Sequence, residues 1–488
     1  MSPTVGYLGV DLGGSGAKAG VFSDAGELLG FGQVSVPIQT TPDGHSEVPI
    51  EEVYEAAREA SQRAIAQAGV RIRALSVASQ GQTFVSLDAQ GRPLHPAILW
   101  YDSRAAEQAE WLSQRIAQVT GTERKPVVQA ISTGPKILWL REHAPEVMAR
   151  ADRYLLLPDY LSYRLTGTPA TDGNTAMSTA LACEDAQGYS QAALEAAQIR
   201  PEQLAQIAQP GEPLRDVLPK VAAEWGLEPD TLLVCGTNDQ YAGALGAGNS
   251  APGIVSETSG TCLALVTLSE RLPDPLPVGL LGGRFPIRRY QFALAYAKTA
   301  GLVLDWVQRE LSPGRSHHEL DELAAAVPPG SHGLTVLPHF DGTVSPRPDP
   351  AVRGAFANLN LGHTLGDLYR AVLESLTFSL RENLELMQRS GFTLERIRSI
   401  GGGARSDLWL QMKADVTGLP VDRPACTEAA TMGAAMLAAT GAGAFASISD
   451  SVEVFYHTER TFEPCRGMAE EYEPAYQRYQ DLWRRLYP

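Results

Sequence analysis

Residues 6–29, GYLGVDLGGSGAKAGVFSDAGELL, read as a strand, a glycine turn and a second strand. Tyr7 to Val10 are strand-like, Gly13, Gly14, Ser15 and Gly16 make the turn, and Ala17 to Phe22 return. Such a turn presents consecutive backbone N–H groups, which suit a phosphate. Asp11 stands where the strand enters the turn. A carboxylate beside a phosphate repels it unless a cation bridges them, and Mg²⁺ is the natural bridge. The alternative is an ordinary hairpin with a turn-favouring Asp. A second stretch, LLVCGTNDQYAGALGAG at 232–248, reads as a short strand running into a small-residue helix, with Asp239 at the junction.

At 488 residues the chain exceeds one ordinary core, so two or three domains are expected. Forty basic against 56 acidic residues give a formal charge of −16. That disfavours nucleic acid or an anionic membrane as partner, since both need a cationic face. It leaves room for nucleotides held by backbone N–H groups and a metal. The five cysteines (183, 235, 262, 426, 465) form no close pair, which argues against a zinc site or disulfide framework and for a reducing compartment. No basic-then-apolar leader and no run of eighteen apolar residues is seen, so a cytoplasmic location is expected.

Strands followed by helices recur, which argues for an α/β layer architecture. ELLGFGQVSV is a third strand. EEVYEAAREASQRAIAQAG is a helix with Val53, Ala56, Ala57, Ala60, Ala64 and Ile65 at helical spacing, stopped by Gly69. The stretch from about 120 to 208 is expected to be a mostly helical insert shaping a substrate pocket. From Thr231 the pattern resets. GIVSETSGTCLALVTLS repeats the strand–turn–strand layout of the opening, a sign of internal duplication. RLPDPLPVGLLGGRFP reads as loop, and DLYRAVLESLTFSLRENLELMQRSG as a long amphipathic helix with Leu368, Val372, Ser375, Leu376, Ser379 and Asn383 near one face. RIRSIGGGARSDLWLQMKADVTGLPV is a strand, a triple-glycine turn and a helix. EAATMGAAMLAATGAG is an Ala-rich helix built for close packing. The domain boundary is placed near Gly248, giving domains 1–248 and 249–488.

Seven blocks in one order resemble the FGGY family of carbohydrate kinases. DLGGSGAKAGV resembles its first phosphate segment, SQGQTFVSLDAQGRPLHPAILWYDSRA its sugar-side segment, and GPKILWLREHAP its helix signature, carried by Lys136 and Trp139. GTNDQYAGALGAG resembles the segment with the catalytic aspartate, SETSGT the second phosphate segment, GAFANLNLGHTLGDLYRAVLE the second signature, and GGGARSDLWLQMKADVTGLPV the adenosine segment. KILWLREHAPE and LLPDYLSYRLTG are similar to the xylulokinase branch. The resemblance implies two α/β domains of the ribonuclease-H/actin-like ATPase type with a central cleft. Sugar would bind on the N-terminal side and MgATP on the C-terminal side. Three departures stand out. Gly14 replaces the usual Thr, Gly81 and Gln82 replace Met-His on the sugar side, and Asn358 replaces Gly in the second signature.

Phosphoryl transfer needs cradled phosphates, a neutralising Mg²⁺ and a hydroxyl held in line. Asp239 is assigned as the catalytic group that accepts the hydroxyl proton; its position also suits a plain helix cap. The positive helix end is expected to lower its pKa. Asp11 is assigned to Mg²⁺. Gly13, Gly14 and Ser15 are assigned to phosphate, as are Ser259, Gly260 and Thr261 through backbone and hydroxyl donors. Lys18 is read as a solvated strand residue, with approach to phosphate as the alternative. Gly401, Gly402, Gly403, Ala404 and Ser406 are assigned to adenosine, although Ser406 and Asp407 also suit a helix cap. Gly81, Gln82, Trp100, Asp102, Arg104 and Asp239 are the sugar-side candidates. Trp100 reads more readily as core, and Asp102 and Arg104 have the alternative of pairing with each other. The histidines show no metal spacing. No GxxxxGK[ST] loop appears, which excludes a Walker ATPase.

The reading is therefore an ATP-dependent kinase for a ketopentose such as D-xylulose, with sugar and ATP as its ligands and a homodimer left open. Alternatives are another polyol or ketose (erythritol, ribulose, glycerol), a non-kinase actin-like ATPase, or a sugar-responsive DNA regulator. No helix-turn-helix supports the last.

Overall fold

A computed structural model of the protein describes residues 5–122, 126–183, 185–260 and 262–488. The chain divides into two compact units, residues 1–246 with 430–455, and residues 247–429 with 456–488.

The first unit is built on a six-stranded sheet. Its strands are β1 (Val5–Gly13), β2 (Gly16–Phe22), β3 (Leu28–Ser35), β4 (Arg71–Ser79), β5 (Pro213–Asp216) and β6 (Leu232–Asn238), in the spatial order β5-β6-β4-β1-β2-β3. β1 pairs antiparallel with β2 and parallel with β4, and β4 pairs parallel with β6. Helix α1 (Ile50–Ala68) covers one face. Val53, Ala56, Ala57, Ala60 and Ala64 are buried as their spacing demands, and Gly69 closes the helix in the left-handed region with its N–H on the Ile65 carbonyl. A smaller five-stranded antiparallel sheet takes in residues 84–87, 97–98 and 153–156. The insert is largely helical, including α2 (Thr133–His143) and α3 (Gly173–Met177), but also contributes short strands at 153–156, 170–172 and 206–208. Helix α4 (Asp239–Gly246) follows β6 directly.

The second unit holds a seven-stranded sheet. Its strands are β7 (Gly253–Ser259), β8 (Leu263–Ser269), β9 (Leu280–Arg284), β10 (Gln291–Ala297), β11 (Leu394–Ile400), β12 (Val421–Pro424) and β13 (Thr458–Phe462), in the order β9-β10-β8-β7-β11-β12-β13. Without β9, this is the first sheet again: three antiparallel strands, then two parallel neighbours, then one antiparallel edge. The duplicated layout read at 253–269 thus extends to whole sheets. β9 corrects the reading of 271–286 as loop. It is an edge strand, bonded on one side only to β10, and an edge tolerates glycine and flanking proline. Helix α5 (Leu365–Arg389) was expected to bury one stripe. It is buried nearly all round, and its charges are neutralised inside: Arg370 meets Glu374 at 2.9 Å and Arg347 meets Glu382 at 2.6 Å. Helix α6 (Asp407–Thr417) follows β11, and a 19-residue helix, Met468–Leu486, packs its buried Tyr472, Tyr476, Tyr479 and Trp483 into the same core.

Helices α7 (Ala429–Gly441) and α8 (Ile448–Phe455) depart from the expected division at 248. From Ala430 to Phe455 the chain belongs to the first unit. The reason is backbone-to-backbone packing. A Cβ on Gly9 of β1 would lie 1.8 Å from the Thr431 carbonyl oxygen, and one on Gly433 would lie 1.9 Å from that of Ala242. Ala78, Ala242 and Ala434 fill the seam, and Phe455 stacks on Phe22. No described helix is long and apolar enough to cross a membrane.

Candidate active site

In open α/β sheets, ligands gather at the carboxyl ends of the parallel strands. In the first unit those ends carry the candidate residues. Asp11 on β1 is in register with Ala78 on β4, which is in register with Thr237 on β6. Two strand spacings, about 10 Å, therefore separate the rows of Asp11 and Thr237. Asp239 stands two residues beyond Thr237, at the first position of α4. The two acids thus share one sheet edge. Lys18 is in register with Asp11 across the β1–β2 ladder.

Asp239 is part-exposed by area, yet its carboxyl is enclosed by protein atoms. Burial raises its pKa from an ordinary 3.8 to about 6, against the pull of hydrogen bonds from the Gln240 backbone and side chain. This overturns the expectation of a lowered value: desolvation outweighs the helix end. The cap itself is supplied by Asn238, whose Oδ1 accepts the Gln240 N–H at 3.1 Å.

The turn after β1 approaches Gln80 and Trp100. A Cβ on Gly14 would lie 3.3 Å from Gln80 Oε1 and 3.9 Å from Trp100 Nε1. Gln80 is buried, donates to Thr83 Oγ1 at 3.1 Å, and gives its backbone N–H to Leu12. Trp100 is part-exposed and so more than a core residue. Gln82 adopts φ 59°, donates its N–H to Ser178 Oγ at 3.1 Å and accepts from Thr133 Oγ1 at 3.1 Å. Gly81 leaves no room for a side chain, because a Cβ there would lie 2.7 Å from Ser178 Oγ. Asn238 Nδ2 is 3.7 Å from the same point. Ser15 is exposed at the tip of the turn, and Gly13 pairs with Gly16 at its base.

Asp102 and Arg104 take the alternative left open for them. Asp102 accepts the Ser46 N–H at 2.7 Å and both Nε and Nη2 of Arg104 at 2.9 and 2.8 Å. Arg104 also reaches Glu47 at 2.7 Å and lies over Trp139. Both are buried and mutually saturated, so they brace the wall and are not offered to a sugar. Burial alone would raise the Asp102 pKa, but the guanidinium and two backbone N–H groups hold it below the ordinary range.

Two residues here were not among the site candidates: Lys136, named only as part of the helix signature, and Asp172. Lys136 of α2 is fully buried and donates to the Leu99 carbonyl at 2.7 Å, with that of Trp100 at 3.5 Å. Burial brings its pKa down to about 7, against the attraction of Asp102. Asp172 is buried, caps α3 through the Asn174 N–H at 3.1 Å, and accepts Thr237 Oγ1 at 3.2 Å. It ties the insert, and with it Ser178, to the strand that presents Asp239.

In the second unit, the turn after β7 and the turn after β11 lie together. A Cβ on Gly403 would meet Ser259 Cβ and Trp409 Cζ3 at 2.5 Å each, and Gly401 has φ 83° and ψ −167°, a region reserved for glycine. Gly402 is the open one: among the described residues beyond its chain neighbours, only Ser259 O, at 3.9 Å, lies within 4 Å of a Cβ placed there. Ala404 is buried. Two assignments are corrected. The Ser259 hydroxyl is buried against Glu257 and Lys413 and is not offered to a phosphate. Ser406 caps α6 by accepting the Trp409 N–H at 3.1 Å, and Asp407 pairs with Arg423 and with Arg460. The Gly260 N–H donates to Cys262 O at 3.1 Å, and among the described residues beyond its chain neighbours no atom lies within 4 Å of a Cβ placed on Gly260. Thr261 falls outside the described residues.

Two units with one repeated sheet layout are the architecture of the actin-like sugar kinases. Residues 6–246 match the N-terminal domain, and residues 258–442 the C-terminal domain, of the FGGY family of carbohydrate kinases. The chain is 30% identical over 488 residues to the xylulose kinase of Lactococcus lactis subsp. lactis (strain IL1403), covering 98% of this chain and 96% of the other. It is also 30% identical over 491 residues to the glycerol kinase of Geobacter sp. (strain M21), covering 96% and 97%. The crystal structure of a "xyloylose kinase" from Brucella ovis superposes with a TM-score of 0.87 at 28% identity, over 99% of each chain. The chain belongs to the FGGY family of carbohydrate kinases. It is an ATP-dependent sugar kinase, similar to the xylulose kinases.

Proposed function

We propose that the protein transfers the γ-phosphate of MgATP to a hydroxyl of a ketopentose such as D-xylulose. The observation that carries the chemistry is Asp239, a carboxyl with a pKa raised to about 6 at the strand end it shares with Asp11. A base poised near neutrality is what proton acceptance from an alcohol calls for. Asp239 orients the acceptor hydroxyl and takes its proton as the phosphoryl group arrives. Gln82, with an amide that both donates and accepts, and Trp100 line the acceptor side. Gly13, Gly14 and Ser15 cradle the transferred phosphate, and Gly260, Gly402 and Gly403 border the nucleotide.

Asp11 fits Mg²⁺. It is part-exposed beside the turn, and Mg²⁺ takes one or two carboxylates while keeping water and phosphate oxygens. Among the described residues no three His, Cys, Asp or Glu side chains converge as a cage. The ion neutralises charge on the β- and γ-phosphates when bound. A ketopentose is supported by several xylulose kinases among the relatives, each matched over most of the chain.

A second reading, a kinase for another ketose or polyol, is favoured by Gly81 and Gln82. No side chain fits at 81 while Ser178 occupies the space, so the acceptor wall here is polar and close-set. The test is ATP consumption by the purified protein with D-xylulose, D-ribulose, erythritol, glycerol and gluconate. Strong stimulation by D-xylulose above the others is expected. Stimulation by glycerol or erythritol alone establishes the second reading.

A further inference from the structure

Beneath the two turns of the second unit lies a closed knot of buried polar side chains. Lys413 of α6 is 1% exposed, and Glu257 of β7 is wholly buried. Lys413 Nζ donates to Glu257 Oε2 at 2.7 Å, Ser259 Oγ at 2.8 Å and Ser399 Oγ at 3.1 Å. Ser259 and Ser399 in turn donate to Glu257. Three ammonium hydrogens therefore meet three acceptors, and both carboxylate oxygens are occupied. Glu257 and Ser399 are register partners on the parallel strands β7 and β11. Ser259 immediately precedes Gly260, and Ser399 stands two residues before Gly401. Lys413 also lies 4.2 Å from the centroid of the Trp409 ring, whose Nε1 is held by Thr377 Oγ1 at 3.0 Å and whose edge abuts Gly403.

A buried ion pair adds little stability over apolar side chains of the same volume, because desolvation consumes most of its Coulomb energy. What it adds is direction: fixed hydrogen bonds at fixed atoms. Here the directions run from one ammonium to the last residue of β7 and the penultimate residue of β11. We propose that Lys413 and Glu257 are positioning residues that hold turns 259–260 and 401–403 in one register for the nucleotide. This inference rests on the reading of the second unit as the ATP side. Neither side chain touches the ligand; both act through the hydroxyls of Ser259 and Ser399, beside glycines 260 and 401–403, which have no side chains of their own to brace them.

The test compares MgADP binding by calorimetry with thermal melting for the wild type, Lys413→Met, Glu257→Gln, the double variant and Ser399→Ala. Each single charge variant strands its partner and is expected to lose both Tm and affinity. The double variant, with no lone charge left, is expected to regain Tm while binding MgADP tenfold or more weakly, and its sugar KM should stay within twofold of wild type. Ser399→Ala, which removes one hydrogen bond and no charge, should fold normally and bind about threefold more weakly. Should the single variants fail to fold, the double variant and Ser399→Ala carry the test. If affinity returns together with Tm in the double variant, the pair serves stability alone and the inference falls. If the wild type itself takes up no MgADP, the nucleotide-side reading falls, and this inference with it.

Discussion

The raised pKa of Asp239 sets stability against the base role proposed for it. Its folded pKa, about 6, lies above the ordinary 3.8, so the folded state favours the protonated form. The stability this group contributes is complete below pH 3.8 and is lost as pH rises through 6. At pH 7–8 the wild type carries the whole penalty, which is at most about 3 kcal/mol. Asp239→Asn removes it. The variant is expected to melt above the wild type at pH 8, the gain shrinking as pH falls through 6. Its turnover should fall about a hundredfold or more with sugar binding kept. The wild-type kcat should itself decline below pH 6 as the base is protonated. Near-normal turnover in the Asn variant, or a kcat flat from pH 5 to 8, takes Asp239 out of the role. The strand-to-turn setting of Asp11, Gly13 and Gly14 and the strand-to-helix setting of Asp239 were legible in the sequence because each is a local pattern. The Asp239 pKa was not, since burial is a property of neighbours distant in the chain.

At the scale of elements, the wall proposed for the acceptor is assembled from pieces that lie far apart in sequence. Ser178 reaches Gln82 across 96 residues, and Lys136 reaches Leu99 across 37. Neither contact leaves a periodic mark, so neither was read, whereas α1, stopped by its glycine and striped with alanine, was read almost to the residue. The Pro- and Gly-rich flanks of β9 hid a strand for the opposite reason: edge strands obey weaker rules. Helix α2 offers a direct test. Lys136 has a folded pKa of about 7 against an ordinary 10.5, so its penalty is absent above 10.5 and complete once pH falls through 7. Lys136→Met removes a charge that costs roughly 2–5 kcal/mol at pH 6, and a hydrogen bond worth about 1. Relative to wild type, the variant should be most favoured in Tm at pH 6, and the advantage should shrink or reverse by pH 10. Because the Leu99–Asp102 turn then loses its anchor, the sugar KM should rise at every pH. A Tm difference independent of pH would mean that Lys136 is not buried as a titrating cation.

Across the whole molecule, sequence order and packing order diverge at one place. The family's C-terminal domain is matched through residue 442, and the sequence boundary near 248 lies close to the first crossing at 246–247. Yet residues 430–455 cross back into the first unit. The Ala-rich pattern at 428–443 announced close packing without naming a partner, because small residues give distance and not address. The partner is β1 itself: Gly9, two residues before Asp11, is covered by the Thr431 backbone. The strand that presents the Mg²⁺ candidate is thus sealed by a segment encoded more than 400 residues later. A fragment ending at Gly246 leaves the backbone of β1 and α4 without that cover, and a hydrophobic seam without its other half. Expressed alone, residues 1–246 should aggregate or melt without a cooperative transition. The same fragment joined through a short Gly/Ser linker to residues 430–455 should be monodisperse, with a single cooperative melt by circular dichroism. If residues 1–246 fold cooperatively by themselves, the returning helices are an ornament on a complete domain, and the seam at Gly9 does not decide where the first unit ends.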